Sequence, residues 1–302
     1  MARELASHLD WIKLGSLRLR CRRVADGALV GGHASLRRGA GLEFAGHRNY
    51  VPGDDLRWLD HRAVLRQDRL LIKQFETETE RAVRLIVDAT ASMGFQSAQA
   101  PVSKLEYASL LAAAVTRVAV RTGDPVSLDF LGGVGARTLP PAGGVEAFER
   151  SLEVLERVTA GGSVATKAGL EAALGHTLRR APRGSIIVLF SDLLDLDEAA
   201  PEVFASLATG GRQTVVVQVL DPLEALFPLE GPVRLRAIEG DVTVETNAST
   251  ARAAYLDALK ALQKRFRDAL WARGSELVTT RTDHDPVLTL RAILSAAEGR
   301  PA

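Results

Sequence analysis

The stretch Arg84-Leu-Ile-Val-Asp-Ala-Thr-Ala-Ser-Met93 decides how this chain is read. Its apolar run, Leu85-Ile-Val87, leads straight into Asp88, and hydroxyls follow two and four residues later at Thr90 and Ser92. A short, uninterrupted apolar run is the pattern of a strand buried on both faces, as in a parallel sheet. Open α/β sheets place their ligands beyond the carboxyl ends of such strands. One carboxylate and two hydroxyls on a single tight turn suit a hard divalent cation, which takes oxygen ligands and keeps several of its waters.

Working outward, residues 185–190 and 214–220 repeat the apolar run, and each of the three runs is followed by an aspartate: Asp88, Asp192 and Asp221. Between them the pattern changes to a helical period. Residues 104–122 carry apolar side chains at 105, 108, 111, 112, 115 and 118 and stop at Gly123. Further helices are expected at 145–158, 166–180, 250–273 and 286–297, and further strands at 126–131 and 276–280. A short edge strand is expected at 137–139, before Pro140-Pro141. In the helix over 250–273, Tyr255, Leu259, Leu262, Phe266 and Leu270 form one stripe, and Gly274 ends it. Strands alternating with helical crossovers predict an α/β fold with a doubly wound, mostly parallel sheet over residues 81–302.

The first 80 residues differ. They are rich in Arg, Gly and Asp, and over residues 1–84 there are 16 basic against 11 acidic side chains. This Arg/Gly-rich amino-terminal extension is expected to be a charged module packing on the core. Its charges interleave, so Arg48, Asp54, Arg57, Asp60 and Arg66 read first as a salt-bridged network locking the segment onto the sheet. A docking surface is the second reading. Arg18, Arg20, Arg22 and Arg23 are the least compensated, and read as a solvated strand or helix face.

Composition excludes several classes. A 302-residue chain with a formal charge of +1 has no general electrostatic pull on nucleic acid or membranes. No apolar run approaches the roughly 20 residues of a spanning helix, and the amino terminus shows no signal-peptide pattern. Cys21 is the single cysteine, which rules out an intramolecular disulfide and a thiolate zinc cluster. A cytoplasmic location is expected.

Two other loops can complement the Asp88 turn. Gly161-Gly162-Ser163 lies between two predicted helices and offers a hydroxyl, and Ser191-Asp192 ends the strand over 185–190. If the strands of Asp88 and Asp192 are neighbours, three loops meet in one crevice. That layout resembles the metal-ion-dependent adhesion site of von Willebrand factor A domains, and the chain is similar to the bacterial domain-of-unknown-function family 58, whose core is such a domain. The resemblance extends over Arg37-Arg-Gly-Ala-Gly-Leu-Glu43, Gly46-His-Arg-Asn-Tyr-Val-Pro-Gly-Asp-Asp-Leu-Arg57, Lys73-Gln-Phe-Glu76, Lys104-Leu-Glu-Tyr107 and Ser191-Asp-Leu-Leu-Asp195, within residues 31–285. It departs where Asp60-His61 stands for the usual Asp-Trp, with Trp58 displaced. It departs again at Thr90 and Ser163, where serine and threonine are usual; both exchanges keep an oxygen.

The resemblance implies a metal-dependent protein-interaction module in which Asp88, Thr90, Ser92, Ser163 and Asp192 hold one Mg²⁺ or another divalent cation. An acidic residue of a partner would then take the open position. The implied partner is a MoxR-type AAA+ ATPase, with the pair acting in chaperone-like maturation or assembly of a client protein. The alternatives are a metal-dependent hydrolase using the same crevice, and a metal-free scaffold whose arginine-rich amino-terminal layer binds protein or nucleic acid; without metal, the groups of the turn merely cap helices and satisfy backbone amides. Enzyme motifs fail. Gly162-Ser-Val-Ala-Thr-Lys167 lacks the glycine and hydroxyl of a phosphate loop. There is no Gly-x-Ser-x-Gly elbow and no His-Glu-x-x-His. No nucleophile–base pair accompanies the candidate ligands, so a non-enzyme is expected.

Overall fold

Of the 302 residues, the computed structural model describes 15–29, 43–50, 70–76, 82–164, 166–194, 196–238 and 243–298. Among the described residues the first element is helix α1 (Leu17–Leu29), and an antiparallel pair comes next, β1 (Glu43–Asn49) and β2 (Leu71–Glu76). Then comes β3 (Val83–Ala89), the strand of the opening motif. A 3₁₀ turn over Ala91–Gly94 and helix α2 (Lys104–Thr122) lead to β4 (Val126–Gly132), β5 (Leu139–Ala142), α3 (Gly144–Arg157) and α4 (Lys167–Arg180). Next are β6 (Ile186–Ser191), α5 (Ala200–Ser206), β7 (Gln213–Leu220) and α6 (Pro222–Leu226). A hairpin of β8 (Pro232–Arg236) and β9 (Thr243–Asn247) precedes α7 (Ala248–Trp271), β10 (Glu276–Arg281) and α8 (Pro286–Ala297).

The main sheet has six strands in the order β10-β7-β6-β3-β4-β5. Five are parallel, and only the edge strand β5 is antiparallel. This is the doubly wound, mostly parallel α/β architecture read from the sequence. β3 sits in the middle because every one of its residues is buried. The chain winds from β3 out through β4 to β5, then returns to the other side of β3 for β6, β7 and β10. The reversal makes the β3–β6 junction a topological switch point, where the loops beyond two adjacent strands diverge and leave a crevice.

Strand alternation divides the core. Val83, Leu85, Val87 and Ala89 face a layer built from α1, α2, α3 and α8, whereas Ile86, Ile187, Leu189 and Val216 face α4, α5 and α7. Helix α2 is buried along most of its length, and begins at a capping box between Ser103 and Glu106 that satisfies two otherwise orphaned amides. It ends at Gly123, whose φ of 81° only glycine adopts readily.

The edge strand and several short elements depart from the sequence reading. The edge strand lies at 139–142 rather than 137–139 and takes in Pro140 and Pro141; an edge tolerates prolines because their missing N–H faces away from the ladder. The arginine cluster at 18–23 lies, as expected, on the outer face of a helix, α1, whose other stripe (Leu17, Cys21, Val24, Ala25 and Ala28) is buried in the main core. Burial pushes the Cys21 thiol up to about 11. The hairpin β8–β9 and the short helices α5 and α6 occupy stretches to which the sequence reading assigns no element. The expected arginine–aspartate network of residues 48–66 lies outside the described residues and side chains. Among the described residues no helix is long and apolar enough to cross a membrane.

Candidate functional site

Asp88 is the penultimate residue of β3, and β3 pairs in parallel with β6 through Val87 and Phe190. One step further, Ser191 Oγ donates to Asp88 Oδ2 at 2.6 Å. The other carboxylate oxygen, Oδ1, accepts from Thr90 N at 2.9 Å and from Thr90 Oγ1 at 2.7 Å. Thr90 Oγ1 in turn lies 3.3 Å from Ser92 Oγ. Three oxygen-bearing side chains are thus held in contact on one turn, all of them buried. The Asp-x-Thr-x-Ser spacing accounts for the clustering: the strand ends, the chain bends at Thr90, and the 3₁₀ turn brings Ser92 back over it.

The glycine loop is stitched to this turn through main-chain bonds. Gly161 N donates to Ala89 O at 2.8 Å, Ala91 N to Gly162 O at 3.0 Å, and Gly133 N to Gly161 O at 2.8 Å. Such close backbone approach requires glycine. At Gly133, where φ is +90°, a Cβ would stand 2.8 Å from Ala89 Cβ. Ser163 follows this stitched pair and is solvent-exposed. Thr166, four residues into the false phosphate loop, caps α4 by accepting from Gly169 N.

Asp192 follows β6 directly and is equally buried, yet its surroundings are of another kind. Its Oδ1 accepts from Leu194 N at 3.0 Å, and its Oδ2 accepts from Lys104 Nζ at 2.7 Å. Lys104 is fully buried at the start of α2 and also donates to Glu224 Oε1 at 2.6 Å. Burial works against the lysine's charge, but Asp192 and Glu224 outweigh it and hold the ammonium above its usual range. Glu224 is itself raised by burial, against the pull of Lys104. Asp88 has no such partner; among the described residues no basic side chain pairs with it. Burial, with the nearby Asp192 charge adding to it, raises the Asp88 carboxyl to about 6 despite the three hydrogen bonds it accepts.

The third strand-end aspartate is structural. Asp221 caps α6 through Leu223 N, and its second oxygen accepts from Ser97 N at 2.8 Å, pinning the loop that follows the 3₁₀ turn. Ser191, Lys104 and Glu224 were not among the candidate ligands. Lys104 belongs to a signature segment but reads as a solvated helix start. Glu224 could have been found from the Asp221-x-x-Glu224 capping-box spacing, which fixes it at the end of β7. Among the described residues, no three His, Cys, Asp or Glu side chains gather into a metal cage. The candidate set here depends on hydroxyls for three of its five donors.

A doubly wound sheet with a carboxylate–hydroxyl turn at its switch point is a von Willebrand factor A-like fold. The chain belongs to the family described as Protein of unknown function DUF58, which matches residues 46–265. It is 27% identical over 276 residues to Uncharacterized protein Rv1480 of Mycobacterium tuberculosis, covering 90% of this chain and 84% of that one. Among solved structures it is similar to the conserved hypothetical protein BatB from Bacteroides thetaiotaomicron, with a TM-score of 0.46 and 18% identity over 72% of this chain and 98% of that one. It is also similar to a von Willebrand factor type A protein from Catenulispora acidiphila, with a TM-score of 0.43 and 14% identity over 75% of this chain and 44% of the other.

Proposed function

We propose that this chain is a metal-dependent protein-interaction module that holds one Mg²⁺, or another divalent cation, through Asp88, Thr90, Ser92, Ser163 and Asp192. The observation that carries this reading is Asp88: a buried carboxylate held by hydroxyls and a backbone amide, with two hydroxyl oxygens clustered beside it and no basic partner among the described residues. The donors are all oxygen, as a hard cation requires. The raised Asp88 carboxyl is the mark of a site short of positive charge. A bound cation would supply that charge and an open coordination position for a carboxylate.

The chain's own groups then divide the work. Asp88 would neutralise, Thr90 and Ser92 would fix the direction of approach, and Ser163, exposed and next in the chain to the Gly162 carbonyl that Ala91 N meets, would face a partner's Asp or Glu. A MoxR-type AAA+ ATPase is the partner taken here, in chaperone-like maturation or assembly of a client in the cytoplasm. The resemblance described above supports that choice. The test is capture of such an ATPase by the immobilised chain with Mg²⁺ and with EDTA. The expected result is binding that needs Mg²⁺ and disappears in Asp88→Ala with the fold intact by circular dichroism. Capture that persists in EDTA and in Asp88→Ala overturns the metal-dependent reading.

One contact favours a second reading. Lys104 already brings a buried positive charge to Asp192, as a metal-free scaffold would need. EDTA-resistant capture is the outcome that this scaffold predicts.

A further inference from the structure

Lys104 is the feature of the crevice that the ligand set leaves unexplained. It is the first residue of α2, where a lysine ordinarily runs its ammonium out to water. Here the whole side chain is buried, with Nζ 2.7 Å from Asp192 Oδ2, 2.6 Å from Glu224 Oε1 and 5.8 Å from the centre of the Phe95 ring. An ammonium has three protons to donate, and two are spent on carboxylates. Each Asp192 oxygen has a short contact inside the protein, one with the ammonium and one with Leu194 N. Glu224 is tied in turn, its second oxygen accepting from Asp221 N at 2.9 Å. The two aspartates expected to act together are therefore not equivalent: one is charge-compensated by the chain and the other is not.

We propose that Lys104 is the positioning residue of the crevice: by occupying Asp192 it keeps that carboxylate out of the direct ligand set and leaves Asp88, with Thr90, Ser92 and Ser163, to hold the cation. This rests on the metal-dependent reading above and narrows its five-residue ligand set by taking Asp192 out of direct contact. Its consequence follows from Coulomb's law. Each carboxylate that touches a cation cancels one unit of its charge, and interactions between charges in a buried site are strong. A crevice that offers Asp88 but withholds Asp192 binds its cation more weakly and leaves more of the charge to attract a partner's carboxylate. Lys104 trades affinity for the ion against affinity for the partner.

The experiment is calorimetric titration of the full chain with MgCl₂ and with MnCl₂, comparing wild type, Asp88→Asn, Asp192→Asn, Lys104→Met and the double variant Lys104→Met/Asp192→Asn. Asp88→Asn is expected to abolish binding, while Asp192→Asn weakens it by no more than about threefold because that carboxylate is already spent. Lys104→Met is expected to bind on the order of tenfold tighter, and the gain is expected to vanish in the double variant. An Asp192→Asn loss as severe as that of Asp88→Asn overturns the inference, as does a Lys104→Met gain that survives without Asp192. If Lys104→Met does not fold, the two asparagine variants, which retain the lysine, still decide it. Absence of binding in the wild type and in Lys104→Met alike overturns the metal reading and this inference with it. Binding that appears only in Lys104→Met supports the role of Lys104 and overturns the reading for the wild type.

Discussion

Asp88 and Asp192 stand at the carboxyl ends of neighbouring parallel strands, and both are buried, yet the chain solves the cost of each charge differently. Around Asp88 it supplies three hydrogen bonds from Thr90 and Ser191 and no cation. Around Asp192 it supplies a buried ammonium shared with Glu224. Hydrogen bonds from neutral groups offset only part of the cost of removing a carboxylate from water, whereas a paired cation can offset nearly all of it. The first solution leaves a carboxyl raised to about 6, and the second a closed cluster. The contrast shows where a fold that could have neutralised both charges left one short.

The largest effect that can break this comparison is loss of the ammonium. Lys104→Met strands Asp192 and Glu224 in a buried setting, and is expected to cost about 3–5 kcal/mol of stability by urea unfolding in EDTA. A loss under about 1 kcal/mol would show that the cluster is not what holds the ends of α2, β6 and α6 together.

Asp88→Asn should act in the opposite sense. A carboxyl raised to about 6 in the fold, against 3.8 for an unperturbed aspartate, costs stability wherever both states would otherwise be ionised. Below pH 4 the group is protonated in both states and the cost is absent. It grows as pH rises from 4 to 6 and is complete above 6, reaching up to about 3 kcal/mol. Metal-free Asp88→Asn is therefore expected to melt above the wild type at pH 8, with the gap closing as pH falls from 6 toward 4. Melting curves in EDTA across that range check it; a gap that does not change with pH would assign the effect to packing instead.

Two smaller changes sharpen the comparison by loosening one side at a time. Gly133→Ala forces a side chain into left-handed backbone and against Ala89, beneath the Asp88 turn, at an expected cost of about 2–3 kcal/mol. Ser103→Ala removes the cap of the helix that presents Lys104, at about 1 kcal/mol. Chemical denaturation measures both. If cation binding is affected by the first and little by the second, the two sides of the crevice are separable.

The strands around the crevice were legible because burial on both faces writes itself as continuous apolar sequence, and because a strand end followed by an acid is local information. The turn Asp88-Ala-Thr-Ala-Ser92 was legible for the same reason: five consecutive residues carry its geometry. Lys104 was not. Its burial depends on carboxylates 88 and 120 residues further along the chain, and without them a lysine at a helix start reads as solvated. The hairpin β8–β9 escaped because its alternation is short, with Val233 and Leu235 only half-buried and Val244 exposed, so too little of it is shielded to mark it off from a loop. Cys21 showed a third kind of silence. A cysteine among arginines gives no sign that it belongs to the buried stripe of a helix seated in the main core.

The main-chain bonds that join Ala89, Ala91, Gly133, Gly161 and Gly162 carry one more consequence. Because peptide groups alone draw the two loops together, their approach does not depend on which hydroxyl each loop bears. Replacing serine with threonine at one position and threonine with serine at the other, as this chain does at Thr90 and Ser163, changes the furnishing of the crevice without moving its walls. A lineage can therefore retune the chemistry of the mouth by single substitutions while the architecture that frames it is inherited intact.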